Sequence, residues 1–297
     1  GQVVIAVEIA AVVFVDTQIR AGRSPMPLPP TPFVPGNGVG GTVDAVGEDV
    51  DPSWLGARVV TATGGTGGYA SRAVTAVADL HRVPPSLDLR VATALLADGR
   101  TALGLARAAG ITPTDVVAVT AAAGGVGGLI VQLAAHAGGE VVALAGDDRK
   151  LTHATKTLGA RHSVNYRREA WSAALTEVVP EGLDVVFDGI GGAVTADLFR
   201  RVRPGGRYLR YGAASGAFGV VAADEAERRQ VTLIGLPSIA PDPVENYRLV
   251  EDALALAGGG TLRPTIGQTF RLEDAAAAHA AIEARATIGK TLLVVDE

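Results

Sequence analysis

The residues with the clearest chemical meaning run VVAVTAAAGGVGGLIVQLA from Val116 to Ala134: an apolar run, a glycine-rich turn, then apolar residues at helical spacing. Written as G-x-G-x-x-G, the turn maps onto Ala122, Gly124 and Gly127, with alanine in the first place. A turn of this kind lets the backbone approach a pyrophosphate at Gly124 and lets helix and strand close up at Gly127. The helix start adds free N–H groups and the positive end of its dipole. Ala123, Gly124, Gly125, Val126 and Gly127 are therefore expected to hold a dinucleotide. The choice between nicotinamide cofactors is read at the end of the next strand, where an acidic side chain would bind a ribose 2′-hydroxyl. Ala145 and Gly146 stand there, followed by Asp147, Asp148, Arg149 and Lys150. A 2′-phosphate would fit beside Gly146 and meet a cation, so NADPH is expected ahead of NADH. The competing reading makes Asp147 a helix cap and Lys150 a solvated side chain.

Other chemistries find little support. There is no G-x-S-x-G elbow and no H-E-x-x-H, and the histidines at 81, 136, 153, 162 and 279 show no ligand-like pairing, so no metal site is expected. His136, His153 and His279 read as surface or packing residues, as do the isolated Met26, Trp54 and Trp171. With no cysteine there is no thiolate nucleophile, disulfide or Cys-ligated zinc, which fits a cytoplasmic protein. The balance of 26 Lys+Arg against 31 Asp+Glu, a net charge of -5, argues against a nucleic-acid partner.

These residues need a frame to hold them. A chain of 297 residues with 48% hydrophobic and 19% charged residues is globular, with room for one large or two ordinary domains. The apolar stretch Gly1 to Val15 lacks a basic leader, carries Glu8 and falls short of the ~20 residues of a membrane span, so it reads as strand. The chain enters this strand almost at once from Gly1, which leaves room for a preceding segment. The first ninety residues read as all-β with loops, including the proline-rich stretch from Pro25 to Gly36. From about Ala92 helices alternate with six apolar strands, at Val116–Thr120, Val141–Ala145, His162–Asn165, Val185–Asp188, Arg207–Tyr211 and Val231–Gly235, which implies a doubly wound parallel sheet. Helices are expected at Val126–Ala137, Lys150–Leu158 and Ala193–Val202. After Pro237 a helix at Val244–Leu256, a strand at Ile266–Phe270, an alanine-rich helix at Glu273–Ala284 and a strand at Lys290–Val295 have too little core of their own. They are expected to pack back on the first region, giving an α/β protein with a discontinuous domain, 1–92 with 239–297, around a dinucleotide-binding domain, 93–238.

Several stretches carry a family likeness: EIAAVVFVDTQIRAG at 8–22, PGNGVGGTVDAVG at 35–47, GGYAS at 67–71, AAAGGVG at 121–127, VNY at 164–166, DVVFDGIGG at 184–192, RPGGRYLRYGAASG at 203–216 and EARATIGK at 283–290. Across nearly its whole length the chain resembles the zinc-independent medium-chain dehydrogenase/reductases, in the NADPH:quinone oxidoreductase or zeta-crystallin-like branch. The resemblance implies a GroES-like β domain split around a Rossmann domain, a cleft for cofactor and substrate, and homodimers formed through the Rossmann sheet. It implies that Lys150 and Tyr166 hold the 2′-phosphate. Thr101 and the turn of Gly212, Ala213 and Ser215 would line the ribose and nicotinamide side, and Arg285 would reach the cofactor from the tail. In zinc-dependent cousins the metal ligands fall near Val13 and Asn37, and neither residue restores them.

Departures from the branch accompany the matches. Relatives commonly carry Asn for Val13, Tyr for Gln18, Glu for Gly38 and Ser for Gly189. The expected reaction is hydride transfer from NADPH to a quinone or an α,β-unsaturated carbonyl, for which the acceptor carbon must be held against the ring in a dry site. Val13 and Phe14 would form an apolar wall, and Asp16, Gln18 and Thr63 are the polar neighbours. Water or a nearby polar group would supply the proton, with Asp16 and Gln18 as the candidate catalytic residues, although Asp16 reads equally as a loop or helix-capping carboxylate. Enoyl-thioester or small-enone reduction is the nearest alternative. A nucleotide-binding homologue with a non-redox role is another.

Overall fold

The computed structural model describes residues 1–23, 27–240 and 242–295, so Met26 and the start of the proline-rich stretch lie outside it. The chain begins with β1 (Gln2–Val12), α1 (Phe14–Arg20), β2 (Gly38–Val46), β3 (Arg58–Ala62), β4 (Arg72–Ala76), β5 (His81–Arg82) and α2 (Leu89–Ala109). Alternation follows with β6 (Val116–Thr120), α3 (Gly125–His136), β7 (Glu140–Ala145), α4 (Asp148–His153), β8 (His162–Asn165), α5 (Trp171–Val178), β9 (Leu183–Asp188), α6 (Ala193–Arg200), β10 (Val202–Arg210), α7 (Ala223–Arg228) and β11 (Thr232–Gly235). The tail adds α8 (Pro243–Gly258), β12 (Ile266–Arg271), α9 (Ala275–Glu283) and β13 (Lys290–Val294). Two compact units result, Gly1–Gly99 with Val250–Glu297, and Arg100–Leu249. The expected domain limits stood at 92/93 and 238/239.

The first unit is built on a sheet of seven described strands in the order β12-β13-β1-β2-β3-β5, with β4 also on β1. Alternation in β1 explains its central place: Val3, Ile5 and Val7 point into a core shared with Val39, Val43, Val59, Leu80 and Leu293. The tail is joined by strand pairing, with Ile9 opposite Val294 and Val12 opposite Thr291. Two readings of this region need correction. The strand stops at Val12 instead of running to Val15, and the region is not all-β, because α1 begins at Phe14. The β-branched run VVFV favours strand, but the Asp16 carboxylate accepts the Val13 N–H at 2.9 Å and starts a helix there.

The second unit is a parallel sheet of six described strands in the order β11-β10-β9-β6-β7-β8. Counted from β6 as the first strand this is 6-5-4-1-2-3, the doubly wound dinucleotide order, and its switch point lies between β6 and β9. Near-continuous apolar strands such as VVAVT and LDVVFD are buried on both faces, as a parallel sheet requires. Leu129, Ile130 and Ala134 of α3 are buried, whereas Leu133 is half-buried. The expected helix over Lys150–Leu158 is α4 followed by a π turn, Ala154–Leu158, that closes on left-handed Gly159. The helix expected to reach Val202 ends at Arg200, and Val202 opens β10 instead. Among the described residues no helix is long and apolar enough to cross a membrane.

Candidate functional site

In the second unit the glycine turn sits at the carboxyl end of β6, beside the switch point. Gly124 takes the N-cap position of α3 in extended conformation, and the first N–H that returns into the helix is that of Gly128, to Gly124 O at 2.9 Å. The amides of Gly125, Val126 and Gly127 thus lack intrahelical acceptors and offer an anion site. A Cβ at Gly127 would lie 2.3 Å from Ala121 O, so helix and turn touch only because the side chain is missing. At Gly124 a Cβ would meet one atom, Ala121 O at 3.2 Å, which leaves its face open for a ligand. The left-handed residue of the turn is Ala121, with φ 50, and not a glycine.

At the end of β7, Asp147 Oδ1 accepts the Lys150 N–H at 2.9 Å, so Asp147 does cap α4. Lys150 is nevertheless not solvated: its side chain is 17% exposed and its Nζ lies 3.6 Å from Asp147 Oδ2. Burial lowers its pKa and the neighbouring Arg149 and Arg167 push the same way, while Asp147 opposes them. Asp148 is turned away to Asn165 Nδ2 at 3.0 Å and Arg168 at 2.8 Å. Around Gly146, where a Cβ would meet Arg167 Nε at 3.0 Å and the Tyr166 hydroxyl at 3.1 Å, the two side chains flank bare backbone. Arg167 is a cation that sequence reasoning passed over.

The other wall of the switch point is organised by Asp188. This buried carboxylate accepts the N–H groups of Ile190 (3.0 Å) and Gly191 (2.9 Å) on Oδ1 and the hydroxyls of Thr195 (2.6 Å) and Tyr208 (2.9 Å) on Oδ2. It thereby shapes the loop 189–192, which is laced to the turn at 212–215 by Ala214 N–H to Gly189 O (3.2 Å) and Ser215 N–H to Ile190 O (2.9 Å). At Gly189 a Cβ would lie 2.5 Å from the Tyr211 ring. Tyr211 fills that volume and donates to Thr120 O at 2.9 Å. Thr101 lies half-buried on α2.

In the first unit, Val13 is the half-buried N-cap residue of α1 and Phe14 is 37% exposed. Gln18 Nε2 donates to Thr17 Oγ1 at 3.1 Å. Thr63 donates its N–H to Asn37 O (2.8 Å) and its hydroxyl to Thr66 O (2.7 Å), and Asn37 Oδ1 takes the Gly65 N–H at 2.6 Å. Asp16 is buried and shares Oδ2 between the Val13 N–H and the Tyr69 hydroxyl. His279, expected at the surface or in packing, is 2% exposed and bonded through Nε2 to Tyr69 at 3.0 Å. Arg285 is exposed, with φ 55. Among the described residues no group of three or more potential metal ligands comes together.

Comparison with known proteins decides the family. The model of the alcohol dehydrogenase GroES-like domain matches residues 1–85, and that of the zinc-binding dehydrogenases matches residues 158–293. A 2-haloacrylate reductase of a Burkholderia species is 31% identical over 99% of this chain and 91% of its own length. The quinone oxidoreductase of Sus scrofa is 31% identical over 99% and 89%. The chain belongs to the quinone oxidoreductase branch of the medium-chain dehydrogenase/reductases. Among solved structures, Escherichia coli quinone oxidoreductase complexed with NADPH superposes with a TM-score of 0.89 at 27% identity, covering 99% of this chain and 91% of that one.

Within this branch the glycine turn, the Gly146 surround and the 212–215 turn all fall at carboxyl ends of the parallel strands, where the family's fold binds its ligands. The Tyr69–His279 and Asp98–Lys290 contacts went unread in the sequence because their partners are far apart along the chain. Lys290 Nζ meets Asp98 Oδ1 at 2.9 Å across 192 positions, both side chains buried.

Proposed function

We propose that this chain is a metal-independent, NADPH-dependent oxidoreductase that reduces a quinone or an α,β-unsaturated carbonyl compound. The observation that carries this reading is the pairing of the open glycine turn at Gly124 with the cationic surround of Gly146, where Lys150, Arg167 and Tyr166 converge. A dinucleotide pyrophosphate suits the first, and a 2′-phosphate suits the second better than a bare ribose. Bound NADPH would supply the hydride. Thr101, Gly212, Ala213, Ser215 and Arg285 are assigned to the cofactor, and Val13, Phe14, Gln18 and Thr63 to the acceptor.

The donor set argues for chemistry without zinc: the chain has no cysteine, Val13 offers no ligand atom, and Asn37 Oδ1 is spent on the turn at 63–66. The likeness to a 2-haloacrylate reductase favours acceptors with a conjugated C=C bond beside the quinones. A homodimer is proposed through the free edge of β11, which ends the strand order of the parallel sheet. A cytoplasmic location is proposed as well, and the cysteine-free composition fits a reducing compartment.

The experiment is NADPH oxidation against quinones, enones and an enoyl-CoA, with NADH and chelator controls. Chelator-insensitive turnover with NADPH supports the reading, and tight NADPH binding without turnover to any acceptor overturns it in favour of a non-redox role. Cofactor choice has its own test. Lys150→Glu is expected to weaken NADPH binding by about tenfold to a hundredfold, the worth of a charge-assisted bond to phosphate, and NADH binding much less. Fluorescence titration measures both, and an unchanged ratio of affinities would remove the 2′-phosphate from this site.

A further inference from the structure

The glycine turn of the second unit begins on a residue ill suited to it. Ala121 takes φ 50, in the left-handed region, where an L side chain is crowded and where alanine has no polar group to offset the loss. Such a residue persists only where its surroundings hold it. Its own carbonyl closes the turn, accepting the Gly124 N–H at 2.8 Å, and a Cβ at Gly127 would lie 2.3 Å from that oxygen. The carbonyl before it, that of Thr120, accepts the Tyr211 hydroxyl at 2.9 Å across 91 positions of the chain. Both peptide planes that meet at Ala121 are thus gripped through their oxygens.

Tyr211 reaches this point from the far side of the switch point. It follows β10, where its N–H is fixed to Asp188 O at 2.9 Å, and β9 lies between β10 and β6 in the sheet. The ring crosses the end of β9 at Gly189, where a Cβ would lie 2.5 Å from it, and the hydroxyl ends 3.2 Å from the place a Cβ would take at Gly127. The β6–β9 ladder stops at Val119 with Phe187. Beyond it, the Gly189 N–H on the Thr120 hydroxyl at 2.8 Å and the Tyr211 bond join the two sides. Packing over a bare glycine requires only a ring. It does not require a hydroxyl aimed at the carbonyl that precedes the left-handed residue.

We propose that Tyr211 is a positioning residue for the dinucleotide, a strut across the switch point that holds Ala121 left-handed and so keeps the glycine turn in its anion-binding shape. The proposal rests on the NADPH reading and gives Tyr211 no contact with the cofactor. With Ala121 held, the Gly124 N–H is spent inside the turn, α3 starts at Gly125, and the amides of Gly125, Val126 and Gly127 stay open. Without the hydroxyl the Thr120 peptide is free to rotate, Ala121 relaxes towards negative φ, and the bond that closes the turn loosens. The three amides then no longer face one anion, and the loss falls on cofactor affinity. Gly189 belongs to the same device, because a side chain there would evict the ring.

A rescue experiment tests this. Tyr211→Phe keeps the ring over Gly189 and removes the hydroxyl, and it is expected to raise the Kd for NADPH about threefold to tenfold, the worth of one such hydrogen bond. Adding Ala121→Gly supplies a residue that takes positive φ freely, and the double variant is expected to bind within about twofold of the wild type. In the wild-type background, where the strut already holds the turn, Ala121→Gly is expected to gain much less, so the two changes couple. Fluorescence titration of NADPH against the four proteins measures the cycle. Should Tyr211→Phe not fold, Gly189→Ala with and without Ala121→Gly takes its place, with loss and rescue expected in the same directions. If Tyr211→Phe binds NADPH as the wild type does, or if Ala121→Gly acts equally in both backgrounds, Tyr211 is a packing residue and the proposal is overturned. If the wild type itself binds no NADPH, the cofactor reading falls, and this proposal with it.

Discussion

Replacing Asp188 by alanine is expected to destabilise the second unit by at least about 4 kcal/mol and to abolish NADPH binding. The carboxylate sits at the carboxyl end of β9 and takes two backbone N–H groups and three hydroxyls, the Thr120 one at a long 3.4 Å, all in a dry environment. Its removal leaves those donors without an acceptor, and each buried unsatisfied group costs about 1–3 kcal/mol. Set against a total stability of about 5–15 kcal/mol, such a loss is close to unfolding. The loop 189–192 takes its shape from these bonds, so its backbone order is lost before the sheet is. Urea denaturation followed by intrinsic fluorescence checks the first claim and NADPH titration the second. Asp188→Asn, which keeps the Oδ1 acceptor for Ile190 and Gly191 but turns an NH2 towards the Thr195 and Tyr208 hydroxyls, is expected to fall between wild type and alanine.

Lys290→Met is expected to cost about 3–5 kcal/mol in the first unit, because it strands the Asp98 carboxylate without its partner. Lys290 is 3% and Asp98 7% exposed, so water cannot take over the lost contact. The double variant Lys290→Met with Asp98→Leu removes both charges together and is expected to recover most of the loss, since a buried pair often matches well-packed apolar groups in stability. Thermal denaturation of the two single variants and the double one forms a closed cycle. An additive outcome would show that the two residues do not act as a pair.

The glycine turn was legible because everything that makes it is local. An apolar strand, the missing side chains at Gly124 and Gly127, and the helical spacing of Leu129, Ile130 and Ala134 lie within twenty residues. The six-strand rhythm was legible for the same reason. Helix α1 was not, since the β-branched VVFV run argues for strand and a single side-chain bond from Asp16 overrides it. Arg167 was hidden in the loop after β8, where no periodicity applies. Tyr69 with His279 and Asp98 with Lys290 are products of tertiary closure, which one sequence carries only as isolated residues. Resemblance supplied the family, and the structure then showed that Tyr211 fills the volume opened at Gly189.

The seam between β1 and β13 sets an order of events during synthesis. Of the described strands β1 is made before all others and β13 after them, yet they are neighbours in one sheet. At roughly 5–20 residues per second, about a quarter to a full minute separates the two strands on the ribosome. Every described strand of the second unit lies in the interval, so its parallel sheet can close while the Ile9–Val12 end of β1, beyond its pairing with β4, still waits for β13 with bare amides and carbonyls. The nascent chain therefore exposes this end of β1 to aggregation and to chaperones until β13 arrives. A ribosome stalled before Lys290 should present a protease-resistant second unit and a cleavable first one.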